Sequence, residues 1–554
     1  MKKQNLVKSI FLQLIRDNLL FTGAFILVIA AVVTLSLIPP QILRIIIDSC
    51  FIPHNKKPLI TLSMFYLIVL ILIGVFDFLK GGMLTIFGQK LTKQLRRKLM
   101  EKLSHLSTTY FSKNSSGAIS SYFNNDVDYV NSLFADGLIS MGIDCFKIIG
   151  ILLSIWMFNV KTGLLVLCLI PIIFFITRAF QKRMLAAQIN NLSQLSNVNN
   201  HISETLKTIR MIKLFHKEQY METLYGTELE RNFTTIERVN FYDSCYAPVI
   251  QLIRGVVICI IVLFSSNYCN FFGISIGMLA ASIDLFSGLF SPIETLGMEL
   301  QNIQKGSSGI QRINEFYREE EEPQKDSTLT AERILSPLKQ ISLEFHQVSF
   351  SYEERPILKN ISLDLPFGTF VTFTGRTGVG KTTLFRLILG LLRPTNGEIL
   401  LNGWNVYNIP NSEKRQLFGY VEQQFSFVQG SVSRQISLGD EHITSAMVEE
   451  AIRFVGLEDT VLNLKDGYDT LVSANSDFSQ GQKQLLGIAR AIVTHPPILL
   501  LDEITANMDS LTEEHIVTIL QKAKQGRTIL SISHGLVSRI KSDVIVHLEH
   551  GERV

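Results

Sequence analysis

The stretch GRTGVGKTT, Gly375–Thr383, decides how the second half of this 554-residue chain folds. It follows the apolar run Phe370–Phe373 and leads into LFRLILGLL, Leu384–Leu392, whose apolar spacing predicts a helix. A strand, a glycine-rich turn and a helix N-terminus make a phosphate cradle, because backbone N–H groups converge on the anion and the helix dipole favours it. Gly375, Gly378 and Gly380 let the backbone approach without interference from a Cβ, and Arg376, Thr377, Val379 and Thr383 complete the loop. Lys381 can reach the terminal phosphates of a nucleoside triphosphate, and the Thr382 hydroxyl is the expected Mg2+ ligand. Downstream, ILLLDE (Ile498–Glu503) reads as a buried strand ending in Asp502, a carboxylate suited to hold the ion through water. Glu503, pointing the other way on that strand, can orient or deprotonate an attacking water. This half is therefore expected to be an α/β P-loop NTPase domain.

The first half has a different composition. Hydrophobic residues make up 47% of the chain and charged residues 18%, against an average charged share of about 25%, and the deficit falls mainly before residue 300. Apolar stretches near 19–38, 59–79, 134–158, 162–177, 246–266 and 272–292 approach the ~20 residues that a helix needs to cross hydrocarbon. Six spans predict an all-α membrane bundle. Basic residues crowd before the first span and after the second, from Lys80 to Lys102, whereas 267–271 carries no charge. The excess of positive charge on one side places both termini, the cassette and the long segments 81–133 and 178–245 in the cytosol; Lys56 and Lys57 run against the trend. The net charge of +3 gives no reason to expect nucleic acid as a partner. The six cysteines, all before residue 270, lack metal-ligand spacing and read as small buried hydrophobes. Residues 1–18 are basic and amphipathic, and the first apolar run, with no small-residue cleavage site, reads as a retained span.

The acidic run REEEEPQKDS, Arg318–Ser327, marks a linker. The expected organisation is a transmembrane domain over 1–317, a linker over 318–338 and a nucleotide-binding domain over 339–554. Among the ionisable residues in or near spans, Asp144 and Lys147 stand three apart and are expected to neutralise each other on one helix face, with contact to a substrate as the alternative.

One further segment, DFSQGQKQLLGIARAI (Asp477–Ile492), resembles the signature motif of ATP-binding cassette (ABC) proteins. The family's usual form is LSGGQ, so Phe478 and Gln480 depart from it, while Ser479, Gly481 and Gln482 match. The resemblance implies that this segment binds the γ-phosphate held in the opposite subunit's cradle, so that two cassettes face each other. It assigns Tyr352 to stacking on adenine, Gln423 to the metal and the attacking water, Asp509 to a dimer contact and His534 to the γ-phosphate. The catalytic set is then Glu503, His534 and Gln423, with Mg2+ held by Thr382, Gln423 and, through water, Asp502. The segments Tyr110–Val130, Glu204–Glu218 and Gly309–Tyr317 resemble cytosolic parts of ABC exporters. Ala474 stands near where the family often has a coupling glutamate.

Together these features resemble a half-size exporter: a six-helix membrane bundle fused to one ATP-binding cassette, with ATP and Mg2+ as cofactors. By resemblance it would sit in a bacterial plasma membrane, surrounded by lipid, as a homodimer or heterodimer. It would move a peptide, lipid or hydrophobic small molecule. Import on the same scaffold, and a membrane-tethered ATPase with a sensor or structural role and no transported substrate, are the alternatives.

Overall fold

The structure is a computed structural model. It describes the chain except residues 1–4, 52–55, 159, 268–274, 324, 326–327, 337–341, 354, 474–477, 505–509, 533–541 and 554, together with a few side chains inside helices. The chain divides into two compact units, residues 1–106 with 114–320, and residues 107–113 with 321–554.

The first unit is helical. Helix α1 (Leu6–Asp17) buries Leu6, Val7, Ile10 and Leu14, one face at helical spacing, as an amphipathic segment should. Helix α2 (Leu19–Ser36) is apolar all round, and α3 (Ile38–Ile46) opens on Pro39 and Pro40, whose missing N–H groups are harmless in a first turn. Helix α4 (Lys56–Ser104) has 49 residues, about 73 Å at 1.5 Å per residue, more than twice the thickness of a bilayer's hydrocarbon. Next comes the short α5 (Thr108–Lys113). The run α6 (Ser116–Phe158) is helical throughout but contains two π-helical turns, Tyr122–Asp126 and Leu133–Ile139. Helices α7 (Val160–Leu214) and α8 (Glu218–Asn267) form a long hairpin, with Pro171 and Pro248 inside them. Helices α9 (Ile276–Gly288) and α10 (Phe290–Arg318) close the unit.

Among the described residues four helical runs, Leu19–Phe51, Pro58–Ser104, Ser116–Phe158 and Ile276–Arg318, are long and apolar enough to cross a membrane. The predicted spans at 162–177 and 246–266 fall in α7 and α8, where several side chains lie outside the described residues. The segments 81–133 and 178–245 are mostly continuations of the span helices.

Two expectations change here. Asp144 does not pair with Lys147: it accepts a hydrogen bond from the Thr295 hydroxyl on α10, because packing between helices supplies a closer partner than the next turn of its own helix. Of the cysteines, Cys50 is buried but Cys145, Cys168 and Cys259 are exposed on this single chain, on the outer faces of apolar helices, and Cys269 lies outside the described residues.

The second unit is built on two main sheets, with a short antiparallel pair, β7 (Gly430–Ser431) and β8 (Leu471–Val472), beside them. One is antiparallel, in the order β2 (Arg355–Pro366), β1 (Ser342–Tyr352), β4 (Asn396–Leu401), β5 (Trp404–Asn405). The other runs β12 (Glu552–Arg553), β11 (Val544–Glu549), β3 (Phe370–Thr374), β10 (Thr528–Ile532), β9 (Ile498–Asp502), β6 (Phe418–Val421), parallel except for β12. Strands β9 and β10 are buried at every residue, which is why ILLLD shows no alternation. Part of the predicted linker belongs to this unit's core, which buries Leu329, Ala331 and Ile334 beside Phe345, Phe373 and Phe385.

Helix α5 lies between two membrane-half helices in sequence but is part of the second unit. Thr108 Oγ1 donates to Leu391 O at 2.6 Å, and Lys113 Nζ meets Glu353 Oε1 at 2.8 Å.

Candidate functional site

Strand β3 ends at Thr374, and the loop Gly375–Gly380 leads into α11 (Lys381–Ile388). The parallel sheet brings the C-terminal ends of β3, β10, β9 and β6 to one edge, so residues far apart in sequence meet there. Two glycines of the loop are required by space as well as by conformation. A Cβ on Gly375 would lie 2.4 Å from Leu548 O at a φ of +141°, and one on Gly380 would lie 2.8 Å from Leu358 Cδ2 at a φ of +110°. Lys381 is buried, its Nζ donating to Gly375 O at 2.7 Å and Arg376 O at 3.2 Å, so it stands over the hollow of the loop. The cavity over the loop has a volume of about 670 Å³, with Arg355 and Ile357 on one wall, Gly375–Val379 on the floor and His547 and His550 opposite.

Asp502 ends β9 beside the first turn of α11. Its Oδ1 accepts from Thr382 Oγ1 at 3.4 Å and its Oδ2 from Tyr420 Oη at 3.3 Å. Burial raises its pKa above the ordinary carboxylate value; the two hydrogen bonds oppose that rise, and the charge of Glu503 adds to it. The Tyr420 phenol is pushed upward, first by burial and then by Asp502, so it remains a donor at neutral pH. Hydroxyl and carboxylate oxygens held 3.4 Å apart at a helix N-terminus form a donor set suited to a hard divalent cation such as Mg2+.

Glu503 does not continue the strand. Its φ is +48°, in the left-handed region that a side chain other than glycine rarely adopts, and the turn is fixed by its N–H donating to Ile532 O at 3.0 Å. The side chain meets Gln423, whose Nε2 donates to Glu503 Oε2 at 2.8 Å. Gln423, Glu503, Asp502 and Thr382 thus stand along one edge of the loop.

Sequence reading missed the residues that hold this edge. Gln484 on α12 (Gln480–Ile492) is buried and donates to Gln423 O at 2.7 Å. Arg490, two turns on, donates to Gln435 O at 2.7 Å and Ser426 O at 3.1 Å and lies 4.2 Å over the Phe425 ring; burial lowers its pKa to about 10. The segment after Gln423 is therefore strapped to the helix that carries the signature. The available signal was a glutamine and an arginine on an otherwise apolar helix face.

At the tip of α12, Ser479 is the N-cap: Ser479 Oγ accepts from Gln482 N at 3.2 Å and Gln482 Oε1 accepts from Ser479 N at 2.9 Å, a reciprocal capping box. Phe478 is buried in the helical core, Ser479 and Gln480 are exposed, and a Cβ on Gly481 would lie 2.3 Å from Thr512 Cγ2. Among the described residues no hydrogen bond joins Ser479–Gln482 to Gly375–Gly380 of the same chain. Tyr352 accepts from Arg386 at 3.5 Å and borders a separate cavity of about 470 Å³ shared with α5. Asp509, His534 and Ala474 lie outside the described residues.

Residues 20–293 match the family model of the ABC transporter transmembrane region, and residues 358–506 match that of the ABC transporter cassette. The chain belongs to the ABC transporter family. This ABC transporter is 26% identical over 510 residues to an ATP-dependent lipid A-core flippase of Syntrophus aciditrophicus (strain SB), covering 92% of this chain and 84% of that one. It is 25% identical over 535 residues to YknV, an uncharacterized ABC transporter ATP-binding protein of Bacillus subtilis (strain 168), covering 96% and 88%. Its fold matches a bacterial Atm1-family ABC exporter solved with ATP bound, at a TM-score of 0.78 and 21% identity over 98% of this chain and 94% of that one. The chain is thus a multi-pass membrane protein of half-transporter layout, an ATPase coupled to transport.

Proposed function

We propose that this ABC transporter exports a lipid-like or hydrophobic solute as a homodimer, hydrolysing ATP at two shared sites. The observation that carries the reading is the edge formed by Thr382, Asp502, Glu503 and Gln423 beside the phosphate loop. Lys381 and the loop N–H groups neutralise the triphosphate. Thr382 and Asp502, with Gln423 nearby, would hold Mg2+, which would supply positive charge to offset that of the triphosphate. Glu503 accepts the hydrogen bond of the attacking water and takes its proton, while Gln423 holds the carboxylate in place.

Ser479 presents its hydroxyl, and Gly481 a backbone N–H of the first turn, at a helix tip, where the dipole favours an anion. Among the described residues they make no hydrogen bond to their own loop, and one chain carries both halves, so a second copy supplies the complement. The exposed Gln480, where the family has glycine, leaves Ser479 free to act. Each nucleotide would then be clamped between the Lys381 turn of one copy and the Ser479 tip of the other. Both termini and the cassette lie in the cytosol in this reading, and Tyr352, Asp509 and His534 complete the site around the adenine, the dimer contact and the γ-phosphate.

Helix α5 ties nucleotide closure to the membrane helices: it joins α4 to α6 in sequence, and Lys113 grips Glu353, the residue after Tyr352. The flippase among the relatives, with the apolar helices, favours an amphipathic or lipid substrate. The test is a pair of measurements in proteoliposomes, ATPase stimulation across lipids and hydrophobic solutes, and movement of the stimulating compound. Stimulated hydrolysis with matching efflux supports export; ATP hydrolysis indifferent to every compound, with no flux, refutes it.

A further inference from the structure

Among the described residues of the membrane half, Glu299 is a buried acid that nucleotide chemistry does not use. Glu299 on α10 is 4% exposed, and its Oε2 meets no hydrogen-bond partner. A carboxylate withdrawn from water with an unfilled acceptor is costly unless a positive charge meets it. Thr295 stands one turn earlier on α10, on the same face, and its hydroxyl donates to Asp144 Oδ2 on α6. The two acids therefore belong to one helix interface. Among the described residues, of the ionisable groups on α10 and the helices packed against it, including Asp136 and Lys147 on α6, Arg178 on α7, Asp284 on α9 and Glu294 on α10 itself, Asp144 alone acts on Glu299.

The backbone around the pair is unusual. The π-helical turn Leu133–Ile139 of α6 ends just before Ser140, and a Cβ on its Gly137 would lie 3.5 Å from Glu299 O and 2.9 Å from Ile303 Cγ1. Helices α6 and α10 thus touch closely here, and π turns recur at functional sites. A buried carboxylate such as Glu299, with a second acid acting on it, does not stay ionised without a cation near it. Lys147 does not supply it, since no ion pair joins it to Asp144 among the described residues. Two acids and one hydroxyl are too few oxygens for the six to eight that a calcium site takes, whereas one monovalent cation brings the pair from two negative charges to one.

We propose that Asp144, Thr295 and Glu299 form a site for one monovalent cation, a proton or an alkali ion, between α6 and α10. The site goes beyond the nucleotide reading: it gives the membrane half a charge to take up in this packing and to release when α6 and α10 separate. A cycle that alternates the two packings then depends on the cation.

Glu299→Gln keeps the shape and removes the charge. Wild type and E299Q, both in nanodiscs, are compared by ATPase rate from acid to alkaline pH, in sodium, potassium or N-methylglucamine buffer, and by infrared difference spectra of the carboxyl band. Nucleotide affinity is measured in parallel, so failure at the nucleotide site is seen separately. If the cation is a proton, wild type shows a protonated carboxyl band at neutral pH and an ionisation in the rate profile, and E299Q lacks both, whatever the salt. If it is an alkali ion, the wild-type rate rises severalfold when sodium or potassium replaces N-methylglucamine, and the E299Q rate does not. Identical profiles in two ATP-binding proteins, with no difference band, overturn the site. Should E299Q fail to fold, Asp144→Asn takes its place. Should both fail, a wild-type protein with neither a protonated carboxyl band at neutral pH nor a dependence on alkali ions overturns it equally.

Discussion

Tyr420→Phe tests the metal end of the proposed site, since it removes one oxygen and leaves the ring. The Tyr420 hydroxyl is one of two side-chain donors to Asp502, at 3.3 Å, the other being Thr382 at 3.4 Å. A hydrogen bond to a charged acceptor contributes about 1.5–3 kcal/mol, and the length of this one places it at the lower end. A loss of about 1.4 kcal/mol is a tenfold change, within the range for outer residues that orient a metal ligand. The Mg2+ concentration that half-saturates ATP hydrolysis should therefore rise about tenfold in Y420F, with the rate recovering near wild type at saturating Mg2+. Proton linkage gives a second readout. Burial already raises the pKa of Asp502, and both hydrogen bonds lower it. Removing one raises it further, and because the metal needs the ionised carboxylate, Mg2+ affinity falls off at a higher pH in Y420F than in wild type. An unchanged Mg2+ midpoint, or a rate that saturating Mg2+ does not restore, would refute the role given to Tyr420.

Three further outcomes follow from the same geometry. Glu503→Gln should bind ATP with near-normal affinity and lose at least two orders of magnitude in turnover, checked by nucleotide binding and single-turnover hydrolysis; wild-type turnover would remove Glu503 from the chemistry. Gly481→Ala drives a Cβ to 2.3 Å from Thr512 Cγ2 and should destabilise the protein by about 1–3 kcal/mol, seen as a lower melting temperature together with reduced ATPase activity. Lys113→Ala breaks an ion pair whose side chains are both more than half exposed, so stability should move by less than about 1 kcal/mol. Its effect should instead appear as weaker stimulation of ATPase by substrate, measured against an unchanged basal rate.

The parts of the fold that were legible are those set by local sequence. GRTGVGKTT lies between a strand and a helix, ILLLD is long, apolar and short of turn residues, and both fall where predicted. The membrane helices were legible as apolar runs, but their true lengths were not. The segments that carry α4, α7 and α8 past the bilayer are amphipathic and read as loops. Glu503 illustrates a subtler miss, since its positive φ comes from a hydrogen bond to Ile532, contributed by a strand that follows it in sequence. Asp144 was misassigned because spacing on one helix favours Lys147, whereas Thr295 arrives from α10. Glu299 was overlooked because an acid past the end of an apolar run reads as a solvated helix end. Gln484 and Arg490 look like ordinary polar positions until the segment after Gln423 is seen against them.

The clamp of two copies around shared nucleotide is tested most directly by placing one cysteine on each side of it. One tagged copy carries Thr377→Cys and a differently tagged copy carries Ser479→Cys, with the native cysteines, all before residue 270, replaced. Glu503→Gln in both copies holds ATP in place. Oxidation should join the two tags in one covalent dimer, strongly increased by ATP and Mg2+. No covalent joining of the two tags with ATP and Mg2+ present, or full hydrolysis by a solitary wild-type chain in lipid, would contradict it.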